Sequence, residues 1–336
     1  MKTILVTGGL GYIGSHTVVE LLNKNYNVVV IDNLSNSNIN VIDKINEISG
    51  KNIIFYKGDI RDAELLDKIF VENNIYGVIH FAGLKAVGES VKEPILYYDN
   101  NVNGSLVLFD SMKKNNVKNI IFSSSATVYG KPEHLPIKED FPTSATNPYG
   151  RSKLILEEIL KDIYVSDNSW NIVLLRYFNP IGAHKSGIIG ENPNGIPNNL
   201  LPYISQVAIG KLSELNVYGN DYDTKDGTGV RDYIHVVDLA NGHINSIYKF
   251  DEKPMVRIYN LGTGNGYSVL EVLHSFEKAC GKKLKYRFLE RRAGDIDTNY
   301  ADPEKAKNEL NWTAKYGIDE MCEDTWRFQC NYPNGY

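Results

Sequence analysis

The sequence predicts a doubly wound parallel α/β sheet joined to a smaller C-terminal substrate domain. Three observations carry this reading. Short apolar runs alternate with helical patterns through the first half of the 336-residue chain. Those runs are near-continuously apolar, as strands covered on both faces must be. After Asn179-Pro180 the rhythm breaks into a stretch rich in Gly, Pro and Asn.

Taken in order, the strands are expected at Ile4 to Thr7, Val28 to Ile31, Ile53 to Tyr56, Val78 to Phe81, Ile120 to Ser123 and Ile172 to Leu175. Between them, helical spacing is expected over Tyr12 to Asn23, Ala63 to Glu72 and Pro94 to Asn115. A helix near Leu201 to Ile209 falls in the loop-rich part, and a strand over Ile258 to Leu261 follows it. The division expected is a cofactor domain over 1–179 with a return segment near 232–262. A substrate domain would comprise 180–231 and 263–336.

Composition narrows the function. Apolar residues make up 42% of the chain, enough for a sizeable core. A formal net charge of −5 argues against a nucleic-acid binder. The three cysteines, Cys280, Cys322 and Cys330, form no CxxC pair, which argues against zinc and a disulfide framework and fits a reducing cytoplasm. Met1 to Thr7 faintly suggests a signal peptide, but Gly8-Gly9 cuts the apolar run short, and no stretch approaches a membrane span in length. No membrane partner and no metal are expected.

Gly8-Gly9-Leu10-Gly11-Tyr12-Ile13-Gly14 follows the first strand and opens the first helix. Glycines there allow a tight turn and close approach of a pyrophosphate, and the helix N-terminus favours its charge. Asp32 ends the next strand, where a carboxylate would accept hydrogen bonds from an adenosine ribose and repel a 2′-phosphate. NAD is therefore expected rather than NADP. Asp59 could lie near the adenine, and His80 to Lys85 beside the dinucleotide. His80 itself is expected to be a packed core histidine.

Tyr149 and Lys153 are four residues apart, on one face of a helix that Asn147 can cap and Pro148 can start. Alone, such a pair is ordinary surface. Beside a dinucleotide turn it becomes a proton-transfer device, with Ser125 at the fifth strand end as relay. No His is placed to make Ser125 a nucleophile. A free Tyr titrates near pH 10, so a base working at pH 7 needs a downward shift of roughly three units, about 4 kcal/mol. Lys153 and an oxidised nicotinamide are the expected sources. Asn179, Arg231 and Arg292 are candidate anion ligands, since two arginines suit a diphosphate. Asp295 could take ribose hydroxyls and Tyr218 could stack on a base.

The chain resembles the UDP-glucose 4-epimerase family, extended members of the short-chain dehydrogenases/reductases. The strings that carry the resemblance run nearly end to end: Val6 to Gly14, His80 to Ser90, Tyr97 to Asn101, Ser123 to Gly130, Leu175 to Pro180, Gly195 to Leu200 and Gly229 to His235. The resemblance implies an NAD-binding Rossmann fold and reversible C4 epimerisation of UDP-galactose and UDP-glucose, in galactose metabolism. Tyr149 would take the 4-hydroxyl proton while NAD accepts hydride from C4. The 4-keto sugar would turn over, and hydride would return to its other face. Ser125 would handle protons, and Lys153 would hold the cofactor ribose and lower the Tyr149 pKa.

The resemblance also maps contacts. Cofactor residues would be Gly8, Gly11, Tyr12, Ile13, Gly14, Asp32, Asn33, Leu34, Ser35, Asn36, Ser37, Asp59, Ile60, Phe81, Ala82, Gly83, Leu84, Lys85, Asn100, Ser125, Tyr149, Lys153 and Phe178. UDP-sugar residues would be Ser125, Tyr149, Asn179, Asn199, Leu200, Asn216, Val217, Tyr218, Arg231, Arg292, Ala293, Gly294, Asp295 and Asn299. Relatives pair as homodimers through helices near 94–115 and 148–165. Bacterial relatives often carry Tyr at the position of Asn299, and smaller residues there go with N-acetylated sugars. Some turnover of UDP-GalNAc and UDP-GlcNAc is therefore expected, unless the following Tyr300 fills the space.

Three other readings stand beside this one. A nucleotide-sugar 4,6-dehydratase would need an acid pair after the fifth strand, where Ser125-Ala126-Thr127 offers none. A UDP-glucuronate decarboxylase or epimerase fits the second-half strings less well. A non-catalytic NAD-binding regulator need not keep Tyr149, Lys153 and Ser125 together.

Overall fold

The computed structural model describes residues 1–193, 195–292 and 295–336. Its centre is a seven-stranded sheet, every neighbouring pair parallel. Six of its strands come from the first half: β1 (Thr3–Thr7), β2 (Asn27–Asp32), β3 (Ile54–Lys57), β4 (Ile75–His80), β5 (Asn119–Ser125) and β6 (Asn171–Tyr177). Three short strands follow outside it: β7 (Asn179–Ile181), β8 (Leu215–Tyr218) and β9 (Val230–His235). The seventh sheet strand is β10 (Val256–Leu261), and β11 (Gly266–Ser268), β12 (Tyr286–Leu289) and β13 (Thr298–Asn299) complete the chain. Strand order in the large sheet is β10-β6-β5-β4-β1-β2-β3. The direction of winding reverses between β1 and β4, which opens a crevice at the strand C-terminal ends.

Alternation along each strand feeds two cores. Ile4, Val6, Val28, Val30, Val173 and Leu175 face one side. There they meet helices α1 (Tyr12–Asn23), α2 (Val41–Ser49) and, from the second half, α9 (Val236–Ile247). Leu5, Val29, Ile31, Val78, Phe122 and Leu174 face the other side. That side is covered by α3 (Ala63–Glu72), α6 (Gly104–Lys114) and α7 (Pro148–Ser166). Two short helices, α4 (Val87–Lys92) and α5 (Pro94–Tyr97), lead into α6.

A third core lies in the second half. Here α8 (Leu200–Ala208), α10 (Val269–Cys280) and α12 (Ile318–Asn331) pack Leu201, Ile204, Phe276 and Met321 against β7, β8 and β9. The last helix in the set, α11 (Glu304–Leu310), joins the first core through Ala306 and Leu310. Strand β9 is the hub of a small sheet: it pairs in parallel with β7 and β13 and antiparallel with β11.

One expected element is different. The helix foreseen over Pro94 to Asn115 is interrupted by a π-helical turn at Tyr98–Asn103. A purely periodic pattern does not reveal such a turn, because the apolar face continues through it. The buried Asn101 side chain sits inside this turn, and its bonds reach two other elements.

Candidate functional site

The crevice begins where β1 hands over to α1. Gly8 has φ +67°, and a Cβ there would lie 2.9 Å from the Ala82 nitrogen. A Cβ on Gly14 would lie 2.3 Å from the Gly8 carbonyl oxygen, so only glycine lets the helix close this tightly on the strand. Gly11 differs: its Cβ would touch only the Gly8 oxygen, at 3.3 Å. Gly11 is the N-cap of α1 and supplies no side chain to cap it, and the first turn holds no acidic residue. Tyr12 reaches across to the Gly182 carbonyl at 2.6 Å, and Ile13 is partly buried beside it.

Asp32 is held rigidly. Its carboxylate accepts from Leu10 N at 3.0 Å, Leu34 N at 2.9 Å and Ser37 Oγ at 2.7 Å. The Asn33–Ser37 turn thus wraps the carboxylate that ends β2, with Ser35 and Asn36 exposed at its tip. Asn33 Nδ2 extends the chain of contacts to Asp59 at 2.9 Å. The Arg61 guanidinium beside Asp59 holds its carboxyl well below the usual carboxylate range. Ile60 is buried next to it.

Past β4, the amides of Phe81 and Ala82 donate to the Thr7 carbonyl, each at 3.1 Å. His80 is a core residue, as its surroundings suggested. It bonds Thr7 Oγ1 at 2.7 Å and Ser105 Oγ at 2.8 Å, and burial pushes its imidazole down to about 3. Asn101 was missed by sequence reasoning. Its Oδ1 accepts from Leu84 N at 2.8 Å, and its Nδ2 donates to Leu84 O at 3.0 Å and Ser152 Oγ at 3.1 Å. Asn100 Nδ2 bonds the same Oδ1 at 3.0 Å. This clamp fixes the Gly83–Lys85 loop against α7.

Helix α7 starts as its sequence dictates. Asn147 caps it by accepting from Gly150 N at 2.9 Å, and Pro148 occupies the first turn. Tyr149 is half-buried at the mouth, where the Ser125 hydroxyl pulls its phenol down against the larger effect of burial. Ser125 ends β5 and caps the 3₁₀ turn Ala126–Tyr129, accepting from Thr127 N at 3.2 Å. Lys153 is 5% exposed and lies one turn deeper. Its ammonium sits 5.0 Å from the Phe122 ring centre and 6.0 Å from that of Tyr149. Among the described residues that ammonium makes no hydrogen bond, and burial pushes it down to about 8.

The downward shift expected of Tyr149 belongs to the protein with oxidised nicotinamide bound. In the chain alone burial raises the phenol above its ordinary value, and the Ser125 hydroxyl pulls it only partly back.

The second half of the site gathers around β9. Asn179 Nδ2 donates to the Asp232 carbonyl at 3.0 Å, and Phe178 is buried just before it. Arg231 lies in register with Asn299 and faces Asp295 at 3.5 Å. Buried Asp232 pins the neighbouring loops, accepting from Thr263 N at 2.9 Å, Gly264 N at 3.0 Å and Ala301 N at 3.1 Å. Arg292 lies over the Tyr218 ring at 3.9 Å, so one face of that ring is already covered by a cation. Asn216 accepts from Arg287 at 2.9 Å. Val217 is a core residue at 1% exposure, so only its backbone is available to a ligand. Ala293 and Gly294 lie outside the described residues.

Glu191 was also missed. It accepts from Lys85 Nζ at 3.1 Å and from Asn199 Nδ2 at 2.7 Å, and so joins the β4 loop to the N-cap of α8, next to Leu200. No sequence signal marks it, because its two partners lie far apart in the chain. Asn299 Oδ1 is buried without a partner among the described residues.

A Tyr-x-x-x-Lys helix packed on β5 and β6 of a doubly wound parallel sheet, with its lysine beside the loop after β4, is the arrangement of short-chain dehydrogenases/reductases. Comparison with known proteins agrees. Residues 5–325 match the family model described as GDP-mannose 4,6 dehydratase. The chain is 62% identical to the UDP-glucose 4-epimerase of Bacillus subtilis (strain 168), over 99% of this chain and 98% of that protein. It is 61% identical to the enzyme of the same name from Pasteurella multocida (strain Pm70), over 99% of each. A crystal structure of UDP-glucose 4-epimerase from Bifidobacterium longum, in complex with NAD+ and UDP, superposes with a TM-score of 0.96 at 58% identity and covers all of both chains. The chain belongs to the UDP-glucose 4-epimerase family.

Proposed function

We propose that this protein inverts C4 of UDP-hexoses, interconverting UDP-galactose and UDP-glucose through a transient 4-keto sugar with tightly held NAD. The observation that carries the reading is Tyr149, fixed in the first turn of α7 one turn from the buried Lys153, with the Ser125 hydroxyl acting on its phenol at the mouth of the crevice. The residues fit the cofactor. Gly11 leaves room at an uncapped helix N-terminus for a pyrophosphate, and the anchored Asp32 carboxylate suits ribose hydroxyls. Bound NAD supplies reversible hydride acceptance at C4.

The chain's own groups do the rest. Tyr149 takes the proton of the 4-hydroxyl and later returns it, with Ser125 as the hydrogen-bonded relay. Lys153, charged below about pH 8, holds the cofactor ribose. The phenol's raised pKa assigns the necessary downward pull to the cationic ring rather than to Lys153 alone. Arg231 and Arg292 grip the diphosphate, with Asp295, Asn179, Asn199 and the Asn216–Tyr218 strand placing the rest of the nucleotide sugar. A dehydratase reading, which the family model's description would allow, lacks an acid on Ala126–Tyr129.

Asn299 supports a wider substrate range. Its Oδ1 has no partner among the described residues and is an acceptor suited to the amide N–H of an N-acetyl group. We further place the protein in the cytoplasm and in galactose metabolism, and divide the chain at about residue 179 into cofactor and UDP-sugar portions with 232–262 returning to the first. It acts as a homodimer, joined through helix faces near 94–115 and 148–165. No helix among the described residues is long and apolar enough to cross a membrane.

The test is to incubate the protein with UDP-galactose and no added nucleotide. UDP-glucose should form, and a parallel reaction with UDP-GalNAc should give slower but measurable UDP-GlcNAc. Tyr149→Phe should lower kcat by about 10²- to 10⁴-fold while NAD stays bound. Full activity in that variant would refute the assignment of the base, and no N-acetyl turnover would refute the role of Asn299.

A further inference from the structure

Beneath the site lies a charged cluster that the proposed chemistry does not use. Glu157 has no exposed surface, and Arg176 is 2% exposed. The guanidinium grips the carboxylate as a fork, with Nη2 to Oε2 at 2.5 Å and Nε to Oε1 at 2.9 Å. Ser124 Oγ donates to the same carboxylate at 2.5 Å. Arg176 Nη1 donates to the Glu139 carbonyl at 3.1 Å, and its plane lies 4.8 Å from the Tyr129 ring centre. Tyr129 OH continues to Asn260 Oδ1 at 2.6 Å.

The placement of these residues is informative. Glu157 is four residues beyond Lys153 and eight beyond Tyr149 on α7, so all three share a helix face. Ser124 immediately precedes Ser125, and Ser124 and Arg176 are direct neighbours in the register of β5 and β6. Tyr129 ends the 3₁₀ turn that Ser125 begins. One carboxylate therefore ties the helix carrying Tyr149 to the strand end and turn carrying Ser125.

Apolar packing alone would not fix that relation. Leu156 and Leu160 press α7 onto the sheet, but such contacts are non-directional and tolerate a small slide. A buried ion pair is a poor stabiliser, because desolvation offsets its attraction, and paired apolar replacement is often neutral. Directional bonds from two strands, β5 and β6, to one carboxylate on α7 do fix register. Proton transfer needs its heavy atoms within about 2.6–3.2 Å.

We propose that Ser124, Glu157 and Arg176 are positioning residues that set the register of α7 against β5, and with it the contact between Tyr149 and Ser125. The proposal rests on the epimerase reading above. It is tested with the full chain carrying its NAD, in two variants: Ser124→Ala, and the paired replacement Glu157→Leu with Arg176→Met. The first removes one bond and leaves the ion pair intact. The second removes the pair without stranding a charge.

Both should retain NAD and thermal midpoint, with kcat for UDP-galactose reduced by about 10- to 100-fold and KM changed less than about twofold. The acidic limb of the kcat–pH profile should move to higher pH, because the Ser125 hydroxyl that pulls the Tyr149 phenol down is displaced from it. Wild-type kcat and an unmoved profile in Ser124→Ala would overturn the proposal, whether or not the paired variant folds. So would loss of NAD and thermal midpoint in proportion to activity, which is what a purely structural role predicts. A wild-type protein unable to convert UDP-galactose would instead refute the functional reading.

Discussion

Tyr149 and Lys153 were legible as a pair because helix spacing is local: a cap, a proline and an i, i+4 interval suffice to put them together. The electrostatics were not legible. Whether a phenol titrates high or low depends on what surrounds it in three dimensions, and here burial outweighs the Ser125 hydroxyl. The same holds for the histidines. Burial pushes His16 and His80 down to about 3 and His243 to about 4, so the folded protein keeps all three neutral. The unfolded chain takes up those protons below about pH 6.5, so stability rises with pH between the folded and unfolded values. This stability is complete above about pH 6.5 and is lost as pH falls toward 3 to 4. Between pH 7 and 5.5 the three together should remove about 3–4 kcal/mol of unfolding free energy. Urea titrations at the two pH values check this, and equal midpoints would contradict it.

At the scale of elements, the glycine turn and the seven strands of the large sheet were read to within about three residues, since each is written in a local pattern, whereas the short strands β7–β9 and β11–β13 were not expected. The π-helical turn at Tyr98–Asn103 was not expected either, and the bonds its buried Asn101 makes run to Leu84 and Ser152, which are distant in sequence. Such turns concentrate at functional positions. Helix α7 offers the cleanest element-level test. Asn147→Ala removes the acceptor for Gly150 N, and should cost about 1 kcal/mol of stability. Because the first turn carries Tyr149, kcat should fall as well, while Asn147→Asp should restore both. Thermal melts and UDP-galactose turnover on the two variants measure the pair of effects.

At the scale of the molecule, the proposed homodimer can be tested on its exposed apolar side chains. Val91, Ile95 and Leu96 are 62%, 83% and 45% exposed on α4 and α5, with Leu106 on α6 at 44%. Clustered exposure of this kind marks an interaction face. Light scattering should give twice the 37.8 kDa chain mass, and Ile95→Asp should shift it toward a single chain; a wild-type monomer at micromolar concentration would rule the dimer out. The large sheet carries a different consequence. Its edge strand β10 pairs with β6 only after the chain has passed through the whole of β7, β8 and β9. Until then the edge of β6, with Ile172 to Leu175 fully apolar, has no neighbour on that side. At ordinary translation speeds of about 5–20 residues per second, the intervening stretch of roughly 80 residues leaves that edge open for about 4–16 s on each nascent chain. A gene fragment ending near residue 179 would never close it. The two halves of the molecule are therefore inseparable during synthesis as well as in the finished fold, and a growing chain is most in need of a chaperone while its second half is still being made.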